Sequence, residues 1–451
     1  MKILQVNTVI RGSSVGRIMA DLYEAIKASG NEARVAVGRE PMPEGYEGIL
    51  IGNKGDFYQH VVKNFLQGES GFGSAEVTKK FLSWIDEEKP DLIHLHNIHG
   101  FYLQVEMLFE YIKKRNIPVV WTLHDCWSFT GHCAYYDFAA CEKWKTGCHT
   151  CMQHAKVYPY AIFKDNTTAS YARKRKAFCG VKNLTIVTPS HWLKEQVEQS
   201  FLREYPVAVI PNGVDLSVFS PADAKDANGG KKNDGNGIND ENGTNDGNQK
   251  NDRNETDDGN EKNSRNKTNN SDKSDSNIKT ILGVANIWEL RKGLVYFEKL
   301  AGDLPDDYRV ELIGVNKKQK KELKKKYGNK IIARERTANV GELAEAYRNA
   351  AVFVNATLED NFPTTNLEAL ACGTPVVTYA TGGSGESVTE ETGIVVRRGS
   401  YDKLFEAVLD AAEGRFSKED CLKRAKEFDK ETRYEEYLKL YEEVLGNAAD
   451  E

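Results

Sequence analysis

The sequence predicts an α/β protein of two doubly wound domains facing each other across a cleft, on three observations. The chain has 451 residues, enough for two to three domains at roughly 150 residues each. A polar tract at 222–277 divides it, with Asn at 15 of 56 positions and Ile238 as its only large apolar residue. On either side, short β-branched runs alternate with amphipathic stretches, the pattern of parallel α/β units.

Before the tract, KILQVN (2–7), ARVAVG (33–38), DLIHLH (91–96), PVVWTLH (118–124), NLTIVTP (183–189) and VAVIP (207–211) read as strands. Helical patterns such as ADLYEAIKASG, closing on Gly30, lie between several of them. After it, TILGVA (280–285), RVELIG (309–314), KIIAR (330–334), AVFVNA (351–356) and TPVVTY (374–379) alternate with helical segments. The expected units are an N-terminal domain at 1–221, a disordered low-complexity linker at 222–277 and a C-terminal domain at 278–451. The last helix can pack back on the first domain. The tract cannot offset its own ordering entropy, and its mixed charges suit a solvated spacer. Its Asn-x-Ser/Thr triplets, such as Asn242-Gly243-Thr244, are what an Asn-rich tract produces by chance.

With 61 basic and 67 acidic residues the formal net charge is -6, which gives no strong electrostatic pull toward nucleic acid or anionic lipid, so neither is the expected bulk partner. No apolar run approaches the roughly 18 residues of a membrane span. The start, MKILQVNTVIRGSS, lacks an export signal, so a cytoplasmic protein is expected. Its eight cysteines then suit free thiols or metal ligands better than disulfides.

Ligands of doubly wound folds bind beyond the carboxyl ends of the strands, so the loops there are where chemistry is expected. Arg11-Gly12-Ser13-Ser14-Val15-Gly16-Arg17 follows the first strand and feeds a helix. Gly12 and Gly16 fit either a phosphate-binding turn or an ordinary tight one. In the segment Glu359 to Pro375, Pro363 marks a helix start and Gly373 with Pro375 its end. Asp360 falls in the loop and Glu368 in the helix. As two acids alone they read more readily as a cap and a solvated helix residue than as ligands of a sugar and a ribose.

The whole segment resembles the signature of retaining glycosyltransferase family 4, Glu-x7-Glu followed by Ala-x-Ala/Cys-Gly-x-Pro-Val, with Asp360 in place of the first Glu. The resemblance extends to His124-Asp125 after PVVWTL, to Pro211-Asn212-Gly213-Val214-Asp215 and to Arg291-Lys292-Gly293. It implies the glycosyltransferase-B fold, two Rossmann-like domains. It also implies that Arg291 and Lys292 neutralise a departing diphosphate and that Glu368 binds a ribose. Asp360 with Asn361, Phe362, Pro363 and Thr364 would hold the donor sugar. His124 is placed at the acceptor side, binding a hydroxyl and not acting as general base. Where the family often has an Arg, this chain has Asn286, which could replace one phosphate contact.

No Asp-x-Asp follows a predicted strand, so no catalytic cofactor or metal is expected. Cys133, Cys141, Cys148 and Cys151 could close a tetrahedral structural zinc site, with Cys126, His132 and His149 as spare ligands. Reduced thiols and disulfides are the other readings. Cys179, Cys372 and Cys421 read as packing residues. His94 and His96 share a strand face, with His99 just beyond, and suit the wall of an acceptor cleft better than a metal. The Lys run at 317–330 reads as a solvated helix face, with contact to anionic lipid as the alternative.

The expectation is a hexosyltransferase-type enzyme moving a sugar from a nucleotide-diphosphate sugar to a saccharide or lipid-linked acceptor, with retention, in polysaccharide biosynthesis. It would act without nucleic acid, in the cytoplasm, with peripheral contact at the inner membrane face. The rivals are a nucleotide-sugar epimerase on the same fold and a non-catalytic sugar-nucleotide binding protein. A glycogen-type synthase is disfavoured, because its Lys-x-Gly-Gly loop is absent at 9–16.

Overall fold

The computed structural model describes residues 1–221 and 278–450, with side chains described to 448. The linker expected at 222–277 lies outside the described residues.

The first unit contains strands β1 (Lys2–Asn7), β2 (Glu32–Val37), β3 (Gly48–Leu50), β4 (Leu92–Leu95), β5 (Val119–Thr122), β6 (Leu184–Thr188) and β7 (Val207–Val209). They form one parallel sheet in the order β3-β2-β1-β4-β5-β6-β7. Helices α1 (Ser14–Ala28), α2 (Lys54–Gln67), α3 (Ala75–Glu88), α4 (Val105–Arg115), α5 (Thr167–Phe178) and α6 (His191–Glu198) connect them. β1, β4 and β5 are buried along nearly their whole length, as strands covered on both faces must be. α1 starts where the Ser13 hydroxyl accepts from Gly16 N–H, and ends before Gly30, which has φ +79°.

The second unit contains β8 (Lys279–Val284), β9 (Tyr308–Ile313), β10 (Ile331–Arg334), β11 (Val352–Asn355), β12 (Val376–Tyr379) and β13 (Gly393–Val396), ordered β10-β9-β8-β11-β12-β13 and all parallel. Its helices are α7 (Leu294–Asp303), α8 (Lys317–Tyr327), α9 (Val340–Asn349), α10 (Thr364–Ala371), α11 (Tyr401–Ala412), α12 (Lys418–Lys426) and α13 (Lys430–Asp450). This is the doubly wound pair that the alternation predicts.

Two strands escape the sequence reading, β3 and β13. Both open on glycine, and a Cβ at Gly48 or Gly393 would sit 1.8 or 1.9 Å from the carbonyl oxygen of Val35 or Val376. Glycine permits the close strand approach while weakening the local strand signal.

The units interlock. Tyr434, Tyr437 and Tyr441 of α13 pack with Ile3, Tyr23 and Val120 of the first unit, while Val214 and Phe219 pack with Leu367 and Phe428 of the second. The crossing is pinned by an ion pair between Lys430 and Asp215 at 2.7 Å. No described helix is long and apolar enough to cross a membrane.

Candidate active site

In each sheet the chain reverses direction of winding beside its first strand, between β1 and β4 and between β8 and β11. The crevice at such a switch point is where doubly wound folds bind ligands. A cleft of about 320 Å³ opens there, between the units. The first unit contributes Ser14, Val15, His124, Tyr135 and Asn212, and the second Asn286, Arg291, Lys292, Thr357 and the run Asp360 to Thr365.

Arg291 and Lys292 sit on a 3-10 turn at Leu290–Lys292 after β8. Gly293 ends it with φ +77°, and a Cβ there would lie 2.2 Å from Ala356 O. The turn is thereby pressed against the loop after β11, where Leu358 N–H donates to Arg291 O at 2.7 Å. Lys292 Nζ reaches Asp360 Oδ2 at 2.8 Å. The Arg291 guanidinium lies 5.5 Å from the Tyr135 ring centre, and its Nε donates to Glu289 at 3.3 Å. Two cations, Arg291 and Lys292, and two carboxylates, Glu289 and Asp360, thus line the cleft that α10 opens onto. Pro363 precedes that helix and no side chain caps it, which leaves the N–H groups of its first turn without a side-chain partner, and Thr364 and Thr365 line the cleft at the positive end of the helix dipole.

Of the residues singled out from sequence, His124, Asn286, Arg291, Lys292, Asp360, Asn361, Phe362, Pro363 and Thr364 converge on this cleft. Gly12, Gly16 and Glu368 are not among its lining residues. The glycine turn meets the cleft through Ser14 and Val15 instead, because Gly12 faces Glu40 and Gly16 packs on the backbone of Val9 and Arg11. Glu368 is buried behind the lining, where it accepts from Tyr347 OH at 2.9 Å and has the Arg17 guanidinium at 4.0 Å. Burial raises its pKa above the usual carboxylate range.

His124 has an orienting chain behind it. Gln5 Nε2 donates to Met19 O at 3.2 Å, which turns Oε1 toward His96 Nε2 at 3.3 Å, so that nitrogen carries its proton. His96 Nδ1 is then the acceptor for His124 Nε2 at 3.2 Å, which leaves His124 Nδ1 as a lone-pair acceptor. Desolvation pushes the His124 pKa down to about 4, against a smaller upward pull from Asp125. Neutral imidazole is the state at physiological pH. His94 and His96 do not line the cleft: His94 is buried under α13, bonded to Tyr441 OH at 2.7 Å and Thr122 Oγ1 at 2.8 Å. His99 holds Asp125 at 2.8 Å.

Across the cleft the units touch through pairings that sequence reasoning did not foresee, several of them with partners it had not singled out. Glu386 accepts from His191 and Trp192 N–H, both at 2.8 Å, so a carboxylate of one unit caps α6 of the other. Phe138 N–H donates to Glu359 Oε1 at 2.9 Å, Ser190 Oγ to Asn361 Oδ1 at 2.7 Å, and Asn212 Nδ2 to Phe362 O at 2.9 Å. Arg398 pairs with Asp137. Asp137 and Phe138 belong to the cysteine-bearing loop, which therefore docks on the second unit. The Pro-Asn-Gly run at 211–213 and the segment from Glu359 carried a local signal on one side of these contacts; Glu386, Ser190, Phe138, Asp137 and Arg398 carried none.

Among the described residues, no three His, Cys, Asp or Glu side chains stand close enough to hold a metal ion. The four thiols as placed are not a closed shell: all are unpaired, Cys133 is buried in the apolar core, and Cys148 Sγ accepts from Gly131 N–H at 3.1 Å. Burial pushes the Cys148 thiol up to about 11.

Comparison with known proteins gives matches on both sides of residues 222–277. The model described as Glycosyltransferase Family 4 matches residues 15–218, and that described as Glycosyl transferases group 1 matches 278–413. A putative colanic acid biosynthesis glycosyl transferase, WcaC of Escherichia coli K12, is 32% identical over 138 residues, 28% of this chain. That match spans 32% of the relative's length. Among solved structures, sucrose-phosphate synthase from Thermosynechococcus elongatus superposes with a TM-score of 0.66 at 15% identity, covering 99% of this chain and 100% of that one. Anabaena HepE in complex with UDP-glucose gives 0.59 at 13%, covering 98% and 100%, and WaaG, involved in lipopolysaccharide biosynthesis, 0.58 at 14%, covering 96% and 98%. At these identities the structural likeness establishes a shared fold.

Proposed function

Because the chain belongs to glycosyltransferase family 4, we propose that it transfers a sugar from a nucleotide-diphosphate donor to a saccharide or lipid-linked acceptor, with retention, in polysaccharide assembly. The observation that carries this is the placement of Arg291, Lys292 and the uncapped start of α10 around one cleft between the units. As the anomeric bond breaks, negative charge collects on the leaving diphosphate while the sugar becomes oxocarbenium-like. Preorganised cations and N–H groups aimed at that oxygen lower the barrier, by on the order of 10²–10³ in rate for each main donor. On this reading Lys292 is shared between Asp360 and the phosphates, and Asp360 keeps the ammonium aimed until they arrive. Asn361 to Thr364 hold the sugar, and His124 offers its Nδ1 lone pair to a hydroxyl. Glu368 reaches the ribose only if it exchanges its contact with Tyr347 for one with the donor.

HepE was solved with UDP-glucose, which makes UDP-sugars the first donors to test here. A panel of UDP-, GDP- and ADP-sugars, scored for nucleotide release with and without oligosaccharide acceptors, decides the matter. Acceptor-dependent release supports transfer, whereas donor isomerisation without an acceptor supports the epimerase, which none of the matches favours.

Zinc on Cys133, Cys141, Cys148 and Cys151 is a separate proposal. It is supported by the spacing of the four cysteines within one loop and by His132 Nε2, buried with no described partner. Closing a shell requires rotation of the side chains from their described positions. Metal analysis of the purified protein and of a Cys148→Ser/Cys151→Ser variant tests it, and a metal-free protein that keeps its Tm rejects it.

A further inference from the structure

Two neighbouring tyrosines in the loop between β5 and α5 have different surroundings. Tyr136 turns into the first unit, where its hydroxyl donates to Gln196 Oε1 of α6 at 2.9 Å and its ring lies 4.8 Å from that of Trp144. Tyr135 lines the cleft instead. The pair is held on both flanks. Before it, Cys126 N–H donates to Ala134 O at 2.8 Å, and the buried Lys174 ammonium donates to Trp127 O at 2.7 Å and to Thr130 O at 3.2 Å. After it, Asp137 pairs with Arg398 and Phe138 N–H donates to Glu359, both of the second unit. Tyr135 is thus strung between the units at a fixed place, as a residue that positions a ligand must be.

The ring of Tyr135 has a partner and its hydroxyl has none. The ring faces the Arg291 guanidinium of the second unit, 5.5 Å from its centre. The hydroxyl makes no hydrogen bond with a described residue. Other polar groups of the same cleft are engaged: Lys292 with Asp360, Arg291 with Glu289, Asn212 with Phe362 O and Asn361 with Ser190. Burial and the Asp360 carboxylate lift the phenol pKa well above its usual value, against a smaller downward pull from Arg291, so the group stays protonated and can donate. A shielded hydroxyl without a partner is costly, and a ligand that supplies one recovers that cost on binding.

A neutral donor adds little to a diphosphate whose charge is already met by Arg291, Lys292 and the start of α10. It suits a sugar hydroxyl, and the carboxylate that most influences it, Asp360, is the one assigned to the donor sugar above. We propose that the Tyr135 hydroxyl donates a hydrogen bond to a hydroxyl of the sugar being transferred, so that a loop of the first unit takes part in choosing the nucleotide-sugar that the second unit holds. The proposal rests on the transfer reading. A site that hydrogen-bonds a substrate hydroxyl rejects analogues lacking it, because its own polar group is then left unpaired.

Tyr135→Phe keeps the ring over Arg291 and removes only the oxygen. Calorimetry with paired probes, UDP and UDP-glucose, GDP and GDP-mannose, ADP and ADP-glucose, reads what the sugar adds to each nucleotide. In the pair that the wild type binds, the variant should hold the nucleotide within about twofold of the wild type and the nucleotide-sugar about three- to tenfold more weakly. Monodeoxy forms of that nucleotide-sugar locate the contact, because for one of them the two proteins should bind alike. Unchanged nucleotide affinity in the variant reports an intact fold. A tyrosine that merely supported the loop would weaken nucleotide and nucleotide-sugar together, and that result overturns the proposal. Equal nucleotide-sugar affinity in the two proteins overturns it as well, as does a loss that persists with every deoxy form. A wild type that binds none of these probes ends the transfer reading and this proposal with it. A wild type that binds a nucleotide-sugar which Tyr135→Phe binds equally well ends this proposal alone.

Discussion

Lys292 and Asp360 face each other across the switch point of the second sheet, ammonium to carboxylate at 2.8 Å, each about four-fifths shielded from solvent. The two residues come from neighbouring loops, after β8 and β11, and their contact fixes a positive charge at the cleft wall beside the start of α10. A lysine held this way is preorganised for an anion but must share its charge with the acid that holds it.

That sharing separates binding from turnover. Lys292→Ala should lower kcat by about 10²–10³. Asp360→Asn should leave nucleotide diphosphate binding as tight or a few-fold tighter, because the competing carboxylate is gone, while kcat still falls at least roughly tenfold as the ammonium loses its aim. Titration calorimetry with UDP and steady-state kinetics measure the two. Weakened UDP binding in Asp360→Asn would contradict the proposed competition.

Glu386 caps α6 from the opposite unit, so it acts as a latch on the closed arrangement. A cap of this kind contributes about 1 kcal/mol. In Glu386→Ala the closed state should be less populated by about fivefold, seen as a larger radius of gyration by small-angle scattering without nucleotide and as a raised donor KM. Equal radii for variant and wild type would show that the other interdomain contacts suffice.

The chain from Met19 O through Gln5 and His96 to His124 sets which nitrogen of His124 carries its proton. Nitrogen-15 NMR of the imidazoles should find His124 as the Nε2–H tautomer at pH 7. In Gln5→Leu that preference should weaken, because His96 is no longer held, with roughly a three- to tenfold loss in kcat/KM. A protonated Nδ1 in the wild type would remove the lone pair assigned to a sugar hydroxyl.

Buried histidines make the fold acid-labile. An unfolded His titrates near 6.5, whereas burial holds His60, His124 and His132 at about 4 and His94 at about 3. Between those limits the unfolded chain binds protons that the folded one does not, so stability is full above about pH 6.5 and is lost as pH falls toward 4. The slope is about 1.4 kcal/mol per pH unit for each such group. Urea unfolding should therefore show at least about 3 kcal/mol less stability at pH 5 than at pH 7. A flat profile would falsify the view that these rings stay neutral.

What the sequence determined by itself was whatever neighbouring residues encode. Runs such as KILQVN and AVFVNA gave their strands through apolar patterning, and Pro363 and Gly373 bounded α10 through backbone chemistry. The motif at 360–368 and the Arg291-Lys292 pair pointed to the donor side because both lie within single loops. Tertiary structure alone decided the contacts between residues far apart in the chain. It put Glu368 behind the cleft and His94 under α13, made Glu386 a cap for another unit's helix, and turned the apolar face of α2 outward. Periodicity reports that a helix has an apolar side, but which side meets the core depends on the polar partners that Gly73 and Tyr160 offer to His60 and Asn64. Those partners are brought there only by the folded chain.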